Sequence, residues 1–147
     1  MDIFQILKKD HQTVKDLFKK LEATGPRAAK SREKLFSQLK SDLEAHSHGE
    51  EETFYFALKE HTEMQENIEE AVDEHETVAS LLEELEELDQ ESEEWSSKLA
   101  ELKKNVLHHV KEEEGEIFKK AKNVLTKEQQ QTLVKEFQTA KKKAAVG

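Results

Sequence analysis

Apolar residues recur along this chain at intervals of three and four, and nowhere alternate with period two over a useful length. That pattern predicts helices and no strands. Ile3, Leu7, Val14, Leu17, Phe18 and Leu21 mark a first helix from Asp2 to about Ala23. Thr24-Gly25-Pro26 ends it, glycine serving the C-terminal turn and proline because it does not continue a helix. A second helix is expected from near Ser31 to about Glu60, with Leu39, Leu43, Phe54 and Ala57 on one stripe. Thr62-Glu63-Met64-Gln65 reads as a capping box that opens a third helix. This third helix carries Ile68, Ala71, Val72, Val78, Ala79, Leu82, Leu85 and Leu88. Asp89 to Ser92 interrupts the pattern, with Ser92 as a cap, and a fourth helix runs from about Glu93 to Val124. A second capping box, Thr126 to Gln129, opens a short last helix over about 127–143. Its Leu133, Val134 and Phe137 share one side, and Lys141 to Lys143 suit a helix C-terminus and a solvated tail.

Four long helices joined by short connections predict an all-α fold, an up-down-up-down antiparallel four-helix bundle with a short C-terminal fifth helix. One domain is expected over 1–147, the bundle occupying about 2–124.

Composition changes this picture little. At 38% charged and 35% apolar the chain approaches the range of disordered sequences. A polar chain folds, however, when its few hydrophobes share one face of each helix. The net charge of −10 argues against nucleic acid or an anionic membrane as partner. The absence of cysteine excludes disulfides, thiolate metal sites and iron–sulfur clusters. Met1-Asp2-Ile3-Phe4 does not read as a signal peptide and no run approaches a membrane span, so a cytoplasmic protein is expected. The pattern sets no oligomeric state.

The histidines carry the chemistry. Leu39, Leu43, His46, Glu50, Phe54 and Ala57 form one unbroken stripe; Leu99, Leu102, Val106, His109, Glu113, Ile117 and Ala121 form another. On a helix, residues four apart lie one above the other, so each histidine points the same way as its glutamate, into the core. His11 lies between Leu7 and Val14, and His75 between Val72 and Val78, on the remaining two core stripes. Counted from the helix ends at ~1.5 Å per residue, all four histidines fall about 20–25 Å along, at one level of the bundle. Burying unpartnered carboxylates costs several kcal/mol or more, as an order of magnitude, so a positive charge must accompany them.

The chain is also internally duplicated. Asp10-His11-Gln12-Thr13-Val14 matches Glu74-His75-Glu76-Thr77-Val78 sixty-four positions on, and the two His-x-x-x-Glu segments match at sixty-three. The duplication implies a pseudo-two-fold axis along the bundle, and with it a site of two metal ions bridged by Glu50 and Glu113. Any one of these histidines alone reads more readily as a hydrogen-bonded core residue; four at one depth, two of them paired with glutamates, point to metal. Mixed imidazole and carboxylate donors with open positions suit iron or manganese, and six donors in one layer exceed a closed tetrahedral zinc site.

Other ionisable residues read more blandly. His48 and His61 are expected at the surface, and His108 at a boundary. Glu51, Glu112 and Glu114 read as solvated acidic faces, Glu114 being the one rival to Glu113 as ligand. Tyr55 reads as packing, with an extra oxygen donor as the alternative, and Trp95 as core. For the second ring nitrogens, Asp10 and Glu74 are candidate partners, but each adjoins a ligand histidine, and adjacent helix residues diverge. Backbone or water serves equally well.

A histidine in the first helix, His-x-x-x-Glu in the second, a histidine in the third and His-x-x-x-Glu in the fourth resemble the hemerythrin-like (HHE cation-binding) family over about residues 3–120. Phe54-Tyr55 and Ile117-Phe118 after the glutamates fit as well, although Phe56 and Lys119 stand where a proline often comes next. The resemblance implies a four-helix bundle with a non-haem di-iron centre, an oxo or hydroxo bridge and two bridging carboxylates. Its implied ligands are His11, His46, Glu50, His75, His109 and Glu113. Oxygen-carrying members have a further histidine where Ala79 stands here, and an aspartate five residues after the fourth-helix histidine where this chain has Glu113 at four. A more open, more symmetric centre suits reaction with dioxygen, peroxide or nitric oxide, or registering iron, better than reversible carriage.

The leading expectation is therefore a di-iron protein (manganese being the alternative metal) that binds dioxygen or a related small oxidant for sensing, storage or detoxification. An enzyme consuming peroxide or nitric oxide at that centre, an iron-responsive module and a metal-free structural bundle are the alternatives. No histidine has a glutamate three residues before it, which disfavours a ferritin-like oxidase. The absence of cysteine disfavours the iron–sulfur repair members of the family.

Overall fold

The computed structural model describes residues 1–146, and no strand occurs among them. Helix α1 spans Ile3–Glu22. Asp2 caps it: its side chain accepts from the Gln5 amide while the Gln5 side chain accepts from the Asp2 amide, a capping box that the apolar pattern does not mark. The helix does not end on a left-handed glycine, because no described glycine has a positive φ. The Thr24 hydroxyl instead donates to the Leu21 carbonyl.

Helix α2 spans Ala29–Gly49, two residues longer at its start than expected. It continues through a π-helical turn, Glu50–Phe54, into α3, Tyr55–Leu58. Thr62–Met64 is a 3-10 turn without a side-chain cap, so the capping box expected at Thr62 does not form. Helix α4, Gln65–Glu87, begins after it. Leu88 is extended, Ala79 faces outward and Leu81 inward, which shifts the third stripe at its C-terminal end. Ser92 accepts from the Trp95 amide and starts α5, Glu93–Glu112. A second π turn, Glu113–Ile117, leads into α6, Phe118–Val124. Thr126 and Gln129 close the expected box and open α7, Lys127–Val146.

The two π turns are the main local departure from the expected helices. A π turn widens the hydrogen-bonded ring to i→i+5, and the amides of Tyr55 and Phe118 accordingly donate to the carbonyls of Glu50 and Glu113. The extra residue re-phases the helix beyond it. Tyr55 and Leu58, rather than Ala57, continue the buried stripe of the second helix.

The expected bundle is present, with α1 against α2, α4 against α5, and α1 against α5. Its core is two apolar clusters separated by a polar layer. One cluster runs from Val14 and Phe18 through Phe36, Leu82 and Trp95 to Val110. The other gathers Ile3, Phe4, Leu7, Phe54, Leu58, Phe118 and Phe137. Arg32 closes the far end of the first: buried over the Trp95 ring at 4.9 Å, it donates to Thr24 and to the Gln90 carbonyl and so ties two interhelical turns together.

The last helix is neither short nor a solvated tail. It is as long as α1 and packs chiefly on α2 and the adjoining π turn. Phe137 is fully buried against Gly49, where an added Cβ would lie 2.8 Å from its ring. Replacing Phe137 by alanine is expected to cost about 3–5 kcal/mol, as for other buried phenylalanines. Urea denaturation measures this; a loss below ~0.5 kcal/mol, typical of surface changes, would make α7 an appendage.

Candidate metal centre

The polar layer between the two apolar clusters is built from one histidine in each of α1 and α4 and one His-x-x-x-Glu pair in each of α2 and α5. His11, His46, His75 and His109 are each at least 92% buried, and Glu50 and Glu113 are completely so. The helical stripes dictate this: each residue replaces an apolar side chain at a core position. The ring centroids of His11 and His46 are 5.1 Å apart and those of His75 and His109 are 4.7 Å apart, so the four rings face one another as two pairs.

Each ring uses its Nδ1 outward. His11 Nδ1 lies 2.6 Å from Glu114, His46 Nδ1 2.8 Å from Asp10, His75 Nδ1 2.9 Å from Glu51 and His109 Nδ1 2.7 Å from Glu74. An ionised carboxylate only accepts, so all four Nδ1 atoms donate and carry the proton. The Nε2 atoms therefore all point inward. Asp10 and Glu74 do not serve the histidines beside them but those of the neighbouring helix. Glu51 and Glu114 are correspondingly not the free solvated faces expected, since each closes a hydrogen bond to an imidazole. The duplication contained that signal, because Asp10 pairs with Glu74 and Glu51 with Glu114 at the repeat offsets. Only the packing of different helices reveals which ring each one meets.

Inside the ring of histidines the donors lack partners. His11 Nε2, His46 Nε2, Glu50 Oε2 and Glu113 Oε1 are buried and make no hydrogen bond. His75 Nε2 and His109 Nε2 face each other at 3.2 Å, two lone pairs in contact when the protons sit on Nδ1. Donor atoms of His11, His46, Glu50 and Glu113 lie within 4.8 Å of one another, as do those of Glu50, His75 and His109. Glu50 belongs to both groups. Glu113 reaches both as well, lying 3.2 Å from His11 Nε2 and 3.3 Å from His109 Nε2. Nitrogen and carboxylate donors converging in this way fit a metal site.

Tyr55 joins this layer. Its hydroxyl donates to Glu113 and lies 3.4 Å from Glu50 and 3.3 Å from His109 Nε2. The ring stacks on His75, with centroids 5.4 Å apart. The π turn after Glu50 brings it there, five residues on but on the same face. Burial and the negative charges of Glu113 and Glu50 push the hydroxyl well above its ordinary pKa, so it keeps its proton. Phe118 occupies the matching place in the second half and is apolar, so the hydroxyl breaks the pseudo-symmetry. His48 and His108 are exposed and His61 lies near the surface, outside the layer. His108 does stand within 3.7 Å of Glu74 and 3.1 Å of Glu112 at the surface.

Without cations the layer holds protons in their place. Burial works against a charged His46 ring, but Glu50 and Asp10 outweigh it and raise its pKa to about 10. His109 is pushed to about 11 against the same burial penalty by Glu113 and Glu74. Burial would raise Glu113, yet hydrogen bonds and neighbouring imidazoles hold it well below its ordinary value. A cavity of about 30 Å³ is lined by the four imidazoles with Val14, Leu43, Ser47, Val78, Val106 and Val110. That is room for about one water-sized molecule.

Residues 2–121 match the family model described as Hemerythrin HHE cation binding domain. A protein of Nostoc sp. (strain PCC 7120 / SAG 25.82 / UTEX 2576) named DNA nickase is 29% identical over 143 residues. That match covers 97% of this chain but 40% of the relative, so the chain spans less than half of it. The crystal structure of a Hemerythrin HHE cation binding domain-containing protein from Mycobacterium kansasii shares the fold, with a TM-score of 0.82 over 99% of this chain and 88% of that one, at 22% identity. No helix among the described residues is long and apolar enough to cross a membrane.

The raised histidines set a pH signature for metal-free protein. Their stabilising contribution is complete below the ordinary value of 6.5 and disappears as pH climbs through about 10 and 11. The Glu113 contribution has the opposite sense, present above 4.5 and lost as pH falls well below it. Chelated protein is thus expected to lose thermal stability steadily from about pH 7 to about pH 10, across the gap between ordinary and raised histidine values. Iron-loaded protein should fall less, since cation binding gains as protons leave. Circular dichroism melts with and without chelator test this, and parallel curves would overturn it.

Proposed function

Because the chain belongs to the hemerythrin HHE cation-binding domain family, we propose that its polar layer holds two iron ions and binds dioxygen or a related small oxidant there, in sensing, storage or detoxification. His11 and His46 would hold one ion and His75 and His109 the other, through Nε2, with Glu50 and Glu113 shared between them. Manganese is the alternative metal for the same donors. The observation that carries the reading is the set of inward-facing, unpartnered nitrogen and carboxylate atoms in a core sealed by apolar clusters on both sides. An iron pair supplies reversible electron transfer and open positions for a small molecule.

The rest of the chemistry belongs to the chain. The four Nδ1-to-carboxylate bonds fix the tautomer and orientation of each imidazole and raise its basicity as a donor. The cavity beside the imidazoles has room for a molecule the size of dioxygen, hydrogen peroxide or nitric oxide. Tyr55 Oη holds a proton beside Glu113. That hydroxyl favours a second reading, in which peroxide or nitric oxide is consumed with turnover, because a hydrogen-bond donor lies in contact with the centre. The net charge of −10 supports a small molecule over nucleic acid as the ligand. The name of the Nostoc relative belongs to a protein more than twice as long as this chain.

Purified protein is expected to carry two irons per chain, measured by metal analysis, with a visible absorption band that responds to the small oxidant. A reversible dioxygen-dependent band with negligible steady-state consumption of peroxide or nitric oxide supports binding; sustained consumption supports the enzyme. Glu113→Ala should lose at least one iron, whereas Glu114→Ala should keep both with metal affinity weakened about 10–100-fold, the usual cost of losing an outer partner. Equal losses would mean that the bridging carboxylate is misassigned.

A further inference from the structure

The two halves of the bundle match in sequence but differ in what covers them. His46 and His109 occupy equivalent places, and so do the carboxylates that accept their Nδ1 protons, Asp10 and Glu74. Over the first half lies α7. The Phe137 ring stands 5.6 Å from that of His46, and Lys141 Nζ reaches both oxygens of Asp10, at 2.7 and 2.8 Å. Small residues admit the helix: Ala45 and Gly49 occupy the positions that His108 and Glu112 hold in the other half. Among the described residues no helix lies over the matching place in the other half, and Glu74 has no lysine within ion-pair distance. The exposed His108 stands 3.7 Å from the second oxygen of Glu74, with Glu112 beside it. Helix α7 lies beyond residues 2–121, outside the part of the chain that matches the family model.

We propose that Lys141 is a positioning residue that makes the two metal positions electronically unequal, so that the ion held through His11 and His46 is the first to be reduced. The inference rests on the di-iron reading above. A carboxylate that accepts from Nδ1–H pushes electron density toward Nε2 and so toward the metal. An ammonium bonded to both oxygens of that carboxylate withdraws part of it and adds a positive charge on the same side, and both effects favour the lower oxidation state. Glu74 carries no such ammonium, so its charge acts on His109 and favours the higher one. The Tyr55 hydroxyl also breaks the symmetry, but it touches both shared glutamates and stays in place when Lys141 is changed.

The test is a spectroelectrochemical titration of the iron-loaded full chain. Lys141→Met should make the first one-electron step less favourable by about threefold to tenfold in its equilibrium constant, tenfold being ~59 mV for one electron. The second step should move much less, and Lys141→Arg should restore the first. With Asp10→Asn already present, Lys141→Met should have little further effect. Potentials that are the same in Lys141→Met, Lys141→Arg and the unaltered chain would overturn the inference, as would equal displacement of both steps. Iron content separates the levels of failure. Two irons with an unresponsive potential sink the role of Lys141 alone, whereas protein that takes up no iron sinks it together with the di-iron reading.

Discussion

Negative charge and unshared nitrogen lone pairs at the middle of a helical bundle are the constraint on which this protein is organised. Glu50 and Glu113 are completely buried, and oxygens of both have no hydrogen-bond partner. In an apolar core such groups cost several kcal/mol each, as an order of magnitude. The imidazoles do not relieve that cost as neutral rings, because each Nδ1 proton is committed to an outer carboxylate and each Nε2 turns inward. Either protons or metal cations must enter. The raised pKa values of His46 and His109 describe the first answer, and the convergence of the same atoms into two groups sharing Glu50 describes the second.

Local backbone geometry serves this layer. Two π turns begin at the two buried glutamates, one in each half of the duplicated chain. An extra residue per turn lets both the glutamate and the residue five positions later face inward, which a regular α-helix does not allow. The second half uses the place for Phe118, a core aromatic packed edge-on to Phe4 at 5.1 Å. The first half uses it for Tyr55, whose hydroxyl enters the polar layer. The same backbone device thus delivers packing on one side and a proton-bearing group on the other.

The outer shell shows the same divergence from an equal start. Asp10, Glu51, Glu74 and Glu114 form two repeat-related pairs of acceptors, all within 2.9 Å of an imidazole nitrogen. α7 then covers one half with an aromatic ring and a lysine and leaves the other open to solvent. A fold that begins as a near-symmetric duplication therefore ends with two inequivalent flanks around one buried layer.

Much of this was legible in the residues. Spacing in steps of three and four determined the helices, their core faces and the bundle, because burying one face of each helix admits few packings. It also marked His11, His46, His75, His109, Glu50 and Glu113, since an ionisable residue on a core stripe conflicts with its surroundings and stands out. Tertiary structure decided what spacing along one helix does not carry. The acceptors of Nδ1 lie across helix boundaries, the π turns depend on what the re-phased residues pack against, and the burial of α7 depends on the space left by Ala45 and Gly49. Lys141 illustrates the limit. By composition it belongs to a lysine-rich tail, and only the close approach of α7 to α1 and α2 makes it the partner of Asp10, because an ion pair is fixed by distance in space rather than by order along the chain.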